Sequence, residues 1–221
     1  MSKTVIVVGT GNAALCAALA ALENGADVTL LEKADQALAG GNTKYTAGAM
    51  RFVYDGTDDL VPLLRDPEDS RLPQTDFGSY TAEKFSADLL GFNDGRPLSE
   101  EQSALIKSSN ETLHWLASHD VKFEPIYSRQ SFEKDGRHVF WGGLTLCAEN
   151  EGVGLFDMEL AAVKKLGGKV RYNAGVTALV LEDGRVTGVQ IGSETLPADA
   201  VILASGGFEA NTQMRVKHMG P

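Results

Sequence analysis

Val5-Ile6-Val7-Val8-Gly9-Thr10-Gly11-Asn12-Ala13-Ala14 decides the fold. The unbroken β-branched run Val5 to Val8 suits a parallel strand buried on both faces. A glycine turn follows at once, and Ala14 to Leu22 is an Ala- and Leu-rich helix. Val28 to Leu31 is a second strand that ends at Glu32. Strand, glycine turn, helix, strand and acid together form the dinucleotide-binding fingerprint in its required context. Gly9 allows the tight turn, and Gly11 lets a pyrophosphate approach the backbone. Ala14 takes the third position, where a small residue permits close helix–strand packing. The helix N-terminus offers unpaired N–H groups and a positive dipole end. Glu32, about twenty residues past the turn, can accept bonds from ribose hydroxyls and would repel a 2′-phosphate, which disfavours NADP.

The remaining chain extends an α/β pattern. Lys33 to Gly48 is a polar loop containing Gly40-Gly41-Asn42-Thr43, and Ala47 to Tyr54 reads as a short extended segment. Asp55 to Gly78, with three prolines and many acids, reads as an irregular surface excursion. Tyr80 to Leu90 is helical in pattern. Ser99 and Gln102 form a capping box that opens a helix to about Ser118, with Leu105, Ile106, Leu113 and Leu116 on one side. Val121 to Tyr127 is strand-like, and Pro125 suits an edge. Ser128 to Asn150 holds a hairpin turning at Asp135-Gly136. Gly152 to Gly154 lead into a helix from Leu155 to Leu166, closed by Gly167-Gly168. Strands follow at Lys169 to Asn173, Val176 to Glu182 and Arg185 to Ile191, the last two joined by Asp183-Gly184. Asp199 to Ala204 is a further buried strand, ended by Ser205-Gly206-Gly207, and Asn211 to His218 begins a helix. Right-handed crossovers return strand Asp199 to Ala204 to the side of the first strand.

Composition narrows the function. The 221 residues carry a formal charge of −10, which disfavours nucleic acid and acidic membranes as partners. No stretch has the length of a transmembrane helix, and the first strand begins too early to leave room for a signal peptide. A cytoplasmic protein is expected. Cys16 and Cys147 lack CxxC spacing and read as reduced thiols, Cys16 as core packing. His114 and His119 suit a helix end, and Trp115 and Phe123 suit the core. Arg51 could face a carboxylate but more simply forms a surface ion pair. His138, beside Trp141, lacks a placeable partner for catalysis. The four histidines and scattered carboxylates show no metal spacing.

The segments VIVVGTGNAALCAALAALENGADVTLLEK, GGNTKYTAGAMR, VTALVLEDGRVTGV and AVILASGGFEAN resemble, in this order, the N-terminal half of fumarate reductase/succinate dehydrogenase-like flavoproteins. DFGSYT, FEPIYSRQSF and FWGGLTL are similar to the tricarballylate dehydrogenase-like subgroup. The resemblance spans essentially the whole chain. It implies a Rossmann-like FAD-binding domain with a parallel central sheet, helices on both faces and an added antiparallel hairpin layer. Gly9, Gly11, Asn12, Ala13 and Ala14 would hold the pyrophosphate, and Glu32 the ribose with Lys33 beside it. Gly40, Gly41, Asn42 and Thr43 would wrap the phosphates and ribityl chain, and Thr46, Ala47, Gly48 and Ala49 would approach the isoalloxazine. Val176 would meet the adenine through its backbone, and Ala204, Ser205, Gly206 and Gly207 would complete the wall.

Three positions depart from the family pattern. Ala14 stands for a glycine, Ala49 for the second of a glycine pair, and Asn42 near the place where succinate dehydrogenases carry a flavin-linking histidine. Non-covalent FAD is therefore expected. The resemblance further implies that residues 1–221 are an incomplete FAD-binding domain, with the capping domain, catalytic residues and C-terminal FAD-binding segment absent. The implied reaction is dehydrogenation of a small polycarboxylate such as tricarballylate, or reduction of the matching unsaturated acid, with an electron-transfer partner. The alternatives are a fumarate reductase, a ketosteroid dehydrogenase-like enzyme, or an inert FAD-binding fragment.

Overall fold

The computed structural model describes residues 2–220, which divide into two compact units. The first comprises residues 2–43 and 159–220, and the second residues 44–158. In the first unit, strand Thr4–Val8 lies at the centre of a four-stranded parallel sheet. It pairs on one side with Asp27–Leu31, which in turn pairs with Lys169–Arg171, and on the other side with Ala200–Leu203. The return of the late strand to the first one is as the topology rules required.

The two faces of this sheet are set by alternation along the strands. Ile6, Val8 and Leu31 pack with Ala174 and Val189. Val189 belongs to a three-stranded antiparallel layer of Ala178–Glu182, Arg185–Ile191 and Glu194–Pro197. Val5, Val7, Val28 and Leu30 therefore point to the opposite face, where helix Asn12–Glu23 buries Ala14, Leu15, Ala18 and Leu19. Leu15 and Leu19 are fully buried, and each such burial contributes about 2 kcal/mol. The Asp183-Gly184 turn has both residues at positive φ, 50° and 78°, as a two-residue hairpin of this hand requires. Strand Glu194–Pro197 was not anticipated, because Gly192 and Ser193 hide a second tight turn in a polar stretch.

The second unit is built on helices Ala82–Gly91 and Glu100–Ser118. Thr81 caps the former, and the Ser99–Gln102 capping box forms in full. Small sheets surround them. Strand Leu146–Ala148 lies between Ala49–Met50 and Phe123–Pro125, so Pro125 is indeed on an edge strand. Hairpin Ser131–Lys134 with Arg137–Phe140 turns at Asp135-Gly136 and pairs in parallel with Thr75–Asp76. Helix Thr212–Met219, in the first unit, begins at its Asn211 cap.

Four expectations need correction. Residues 55–78 are not a mere surface excursion: Leu60, Leu63, Leu64 and Phe77 enter the core, and the Tyr54 hydroxyl donates to the Phe77 carbonyl at 2.9 Å. Hydrophobic residues in this segment outweigh its polar punctuation. Leu105 is exposed, and Ser109 takes its expected place on the buried stripe. Helix Glu151–Lys165 includes Gly152 and Gly154, and the Glu149 carbonyl leaves no room for a Cβ at Gly154. Trp115 and Cys16 are half-buried rather than core, whereas Phe123 is fully buried.

Candidate cofactor-binding site

Within the first unit, a cleft of 560 Å³ opens at the carboxyl ends of the parallel strands. This is where ligands sit in open α/β sheets. It is lined by Gly9, Gly11, Asn12 and Ala13 from the first turn, and by Glu32 and Lys33 from the end of the second strand. Gly41, Asn42 and Thr43, then Val176, then Ala204, Ser205, Gly206 and Gly207 complete the anticipated lining. Residues from four separate sequence motifs are thus brought together. Ala14 is buried and packs beneath the turn, and Gly40 lies behind the wall, so neither lines the cleft. Thr46, Ala47, Gly48 and Ala49 belong to the second unit, where Gly48 stands against the backbone of Glu151.

The geometry of the turn suits an anion. The Asn12 amide donates to Thr43 Oγ1 at 2.9 Å, which ties the second glycine motif to the first helix. The first-turn amides of Ala13 and Ala14 have no intrahelical acceptor, and that turn contains no acidic residue. Gly11 has ordinary extended geometry, φ −72° and ψ 175°. A Cβ there would meet Thr43 Oγ1 at 3.4 Å and the Gly40 carbonyl at 3.7 Å, ordinary contacts. The fold alone does not require glycine at this position, but a phosphate resting on the backbone does. The residues therefore fit a dinucleotide.

The acid is not solvated, as an incidental Glu32 would be. It is 7% exposed, accepts a short hydrogen bond from the Thr10 hydroxyl, and accepts the Ala34 amide at 2.9 Å. Thr10 in turn accepts the Gly40 amide at 3.1 Å. Sequence reading passed over Thr10, since the fingerprint leaves this position open. Its signal was a hydroxyl placed between two glycines that had no other duty. A carboxylate offers about four lone-pair sites, so Glu32 keeps capacity for a ribose hydroxyl. The nearby Tyr172 hydroxyl is buried without a partner among the described residues. Burial first, and then the Glu32 charge, hold its pKa above the usual value.

Two other groups were missed. Glu209 lines the cleft and accepts from Asn42 at 3.4 Å. It is exposed. Glu159 is fully buried, and one of its carboxyl oxygens lies 3.6 Å from the Cys16 thiol. Burial pushes Glu159 up to about 8, opposed by the Cys16 contact. Burial and then the Glu159 carboxyl raise the Cys16 thiol far above its ordinary value. The thiol also donates to Asn12 Oδ1 at 3.3 Å, so this pair buttresses the turn from behind.

The other candidates do not line this cleft. Arg51 forms an ion pair with Asp88 at 3.1 Å. His138 packs edge-on against Tyr127, and His119 caps the C-terminus of its helix. Among the described residues, no group of three or more side chains could hold a metal, and no helix is long and apolar enough to cross a membrane.

The FAD binding domain family matches residues 4–221. A vinyl phenol reductase of Lactiplantibacillus plantarum is 29% identical over 98% of this chain, and the chain spans 40% of that protein's length. The fold is similar to a 3-ketosteroid-Δ4-(5α)-dehydrogenase of Rhodococcus jostii RHA1, with TM-score 0.71 and 21% identity. That likeness covers 98% of this chain and 48% of the other. A quinol fumarate reductase of E. coli aligns with TM-score 0.61 and 14% identity, covering 94% of this chain and 33% of the other. The chain belongs to the FAD binding domain family, and its cofactor is FAD.

Proposed function

We propose that this chain is the FAD-holding part of an oxidoreductase that dehydrogenates a small polycarboxylate such as tricarballylate, or reduces the matching unsaturated acid. The observation that carries the cofactor part is the glycine turn over an anchored acid: Gly11, which the fold leaves free to vary, faces the cleft that Glu32 closes. The motif resemblance supports the substrate class. In this reading Ala13 and Ala14 amides and the helix dipole hold the pyrophosphate, Glu32 holds the ribose, and Thr46 to Ala49 approach the flavin ring. Bound FAD supplies a two-electron centre that accepts or returns hydride at N5. No residue of this chain is assigned the proton transfer. We further propose that residues 1–221 are one incomplete FAD-binding domain, with the capping and catalytic groups on the part of the relatives it does not span. With no histidine in the flavin loop, the cofactor is held non-covalently.

A second reading rests on the vinyl phenol reductase: reduction of an alkene conjugated to a phenol. Anaerobic visible spectra distinguish the two. Bleaching of bound flavin by tricarballylate supports the first. Reoxidation of the pre-reduced flavin by vinyl phenol alone supports the second. No change with either substrate, in a chain that retains FAD, leaves only a nucleotide-binding fragment. Denaturing precipitation should release all flavin to the supernatant; flavin retained in the pellet contradicts non-covalent attachment.

A further inference from the structure

The second unit holds two cations around one glycine pair. Arg51 Nη1 donates to the Tyr80 hydroxyl at 2.7 Å and to Asp88 Oδ2 at 3.1 Å, and Tyr80 donates to the same oxygen at 2.6 Å. The Arg51 guanidinium lies 5.4 Å from the centre of the Tyr80 ring, and the Lys84 ammonium 5.7 Å from the same ring. Gly142 and Gly143 cross this pair. A Cβ on Gly142 would stand 3.3 Å from Lys84 Nζ, and one on Gly143 would stand 2.5 Å from Arg51 Nη1. Both glycines have positive φ, 89° and 83°, a conformation that side-chain-bearing residues rarely adopt.

The charges do not balance. Two like charges share one ring, and among the described residues only Asp88 bonds into the cluster as a carboxylate. Arg51 uses one nitrogen for both of its bonds, which leaves Nε and Nη2 without a protein partner among the described residues. Its side chain is 37% exposed, open enough to meet a ligand. A planar guanidinium edge matches a carboxylate in two parallel hydrogen bonds. An exposed ion pair serving only stability would be worth little and would need no second cation or side-chain-free turn. Arg51 also lies two residues beyond Ala49, the end of the segment proposed to approach the flavin.

We propose that Arg51, Lys84 and the Gly142-Gly143 turn form an anion subsite that takes a carboxylate of the substrate. This deepens the polycarboxylate reading and rests on it. Trp141, 64% exposed and packed on Phe132 at 4.6 Å, adjoins the turn and reports on it by fluorescence.

The test titrates the full chain with tricarballylate, and separately with inorganic phosphate, by calorimetry and Trp141 fluorescence. Flavin absorbance is recorded on the same samples. Tricarballylate should bind saturably, at least tenfold tighter than phosphate, and each of Arg51→Gln and Lys84→Gln should weaken it at least tenfold. Lys84 is exposed, so its variant keeps the fold if Arg51→Gln does not. Equal affinity for phosphate, no binding, or binding unchanged in the Lys84 variant would overturn the subsite. Flavin retained without tricarballylate binding overturns the subsite alone. Tricarballylate binding without flavin leaves the subsite standing and contradicts the cofactor site.

Discussion

A Cβ on Gly9 would lie 2.5 Å from the carbonyl oxygen of Ala204. The opening turn and the end of the last parallel strand are therefore in direct backbone contact, although they stand near opposite ends of the sequence. Gly9 also has φ +110°, a conformation that side-chain-bearing residues rarely adopt. Gly9→Ala combines backbone strain with a clash against main chain that cannot swing aside. It should cost about 2 kcal/mol or more, lowering the unfolding midpoint by roughly 4–8 °C in a protein of this size. Thermal unfolding by circular dichroism checks this.

Glu32 acts through charge and position. Glu32→Gln can still accept the Ala34 amide and can donate to Thr10, so the fold should persist. What it loses is a charged acceptor for the ribose, about 1.5–3 kcal/mol. FAD affinity should fall roughly ten- to a hundredfold with little change in unfolding midpoint, as read by flavin fluorescence titration.

Glu159 makes stability depend on pH. In the native state burial raises its carboxyl to about 8, against an ordinary value of 4.5. Between these values the native chain holds a proton that the unfolded chain has lost, so stability falls as pH rises. The contribution is complete below pH 4.5, is lost through about pH 8, and changes no further above it. The loss is on the order of 5 kcal/mol, at about 1.4 kcal/mol per pH unit. Glu159→Gln should flatten this slope and raise stability at pH 8. Urea unfolding at pH 5, 6.5 and 8 measures it.

Both thiols should be inert. Burial and then the Glu159 carboxyl raise Cys16, and burial raises Cys147 to about 11. Thiolate is the reacting species, so iodoacetamide at pH 8 should label neither until the chain is unfolded. Mass spectrometry of labelled native and denatured chain decides it.

Local signals made much of this readable in sequence. The β-branched run, the glycine turn and the spaced acid defined the sheet centre and its ligand edge, because each acts over a few residues. The Ser99–Gln102 box and the Asp183-Gly184 and Asp135-Gly136 turns were readable for the same reason. Long-range consequences were not. Thr10 acquires a role only when Glu32 and Gly40 arrive from elsewhere, and Glu159 meets Cys16 only once two helices distant in sequence come together. The core residues of segment 55–78 were masked by prolines and acids, since composition does not show which side chains turn inward.

The central claim is that a dinucleotide phosphate rests on the backbone at Gly11. Gly11→Ala isolates it, because the fold has room for that methyl while the ligand does not. The decisive measurement is the FAD dissociation constant of this variant beside its unfolding free energy. Affinity weakened at least tenfold, with stability held within about 1 kcal/mol, is the expected result. A Gly11→Ala variant that folds normally and binds FAD as tightly as the natural chain would contradict the account.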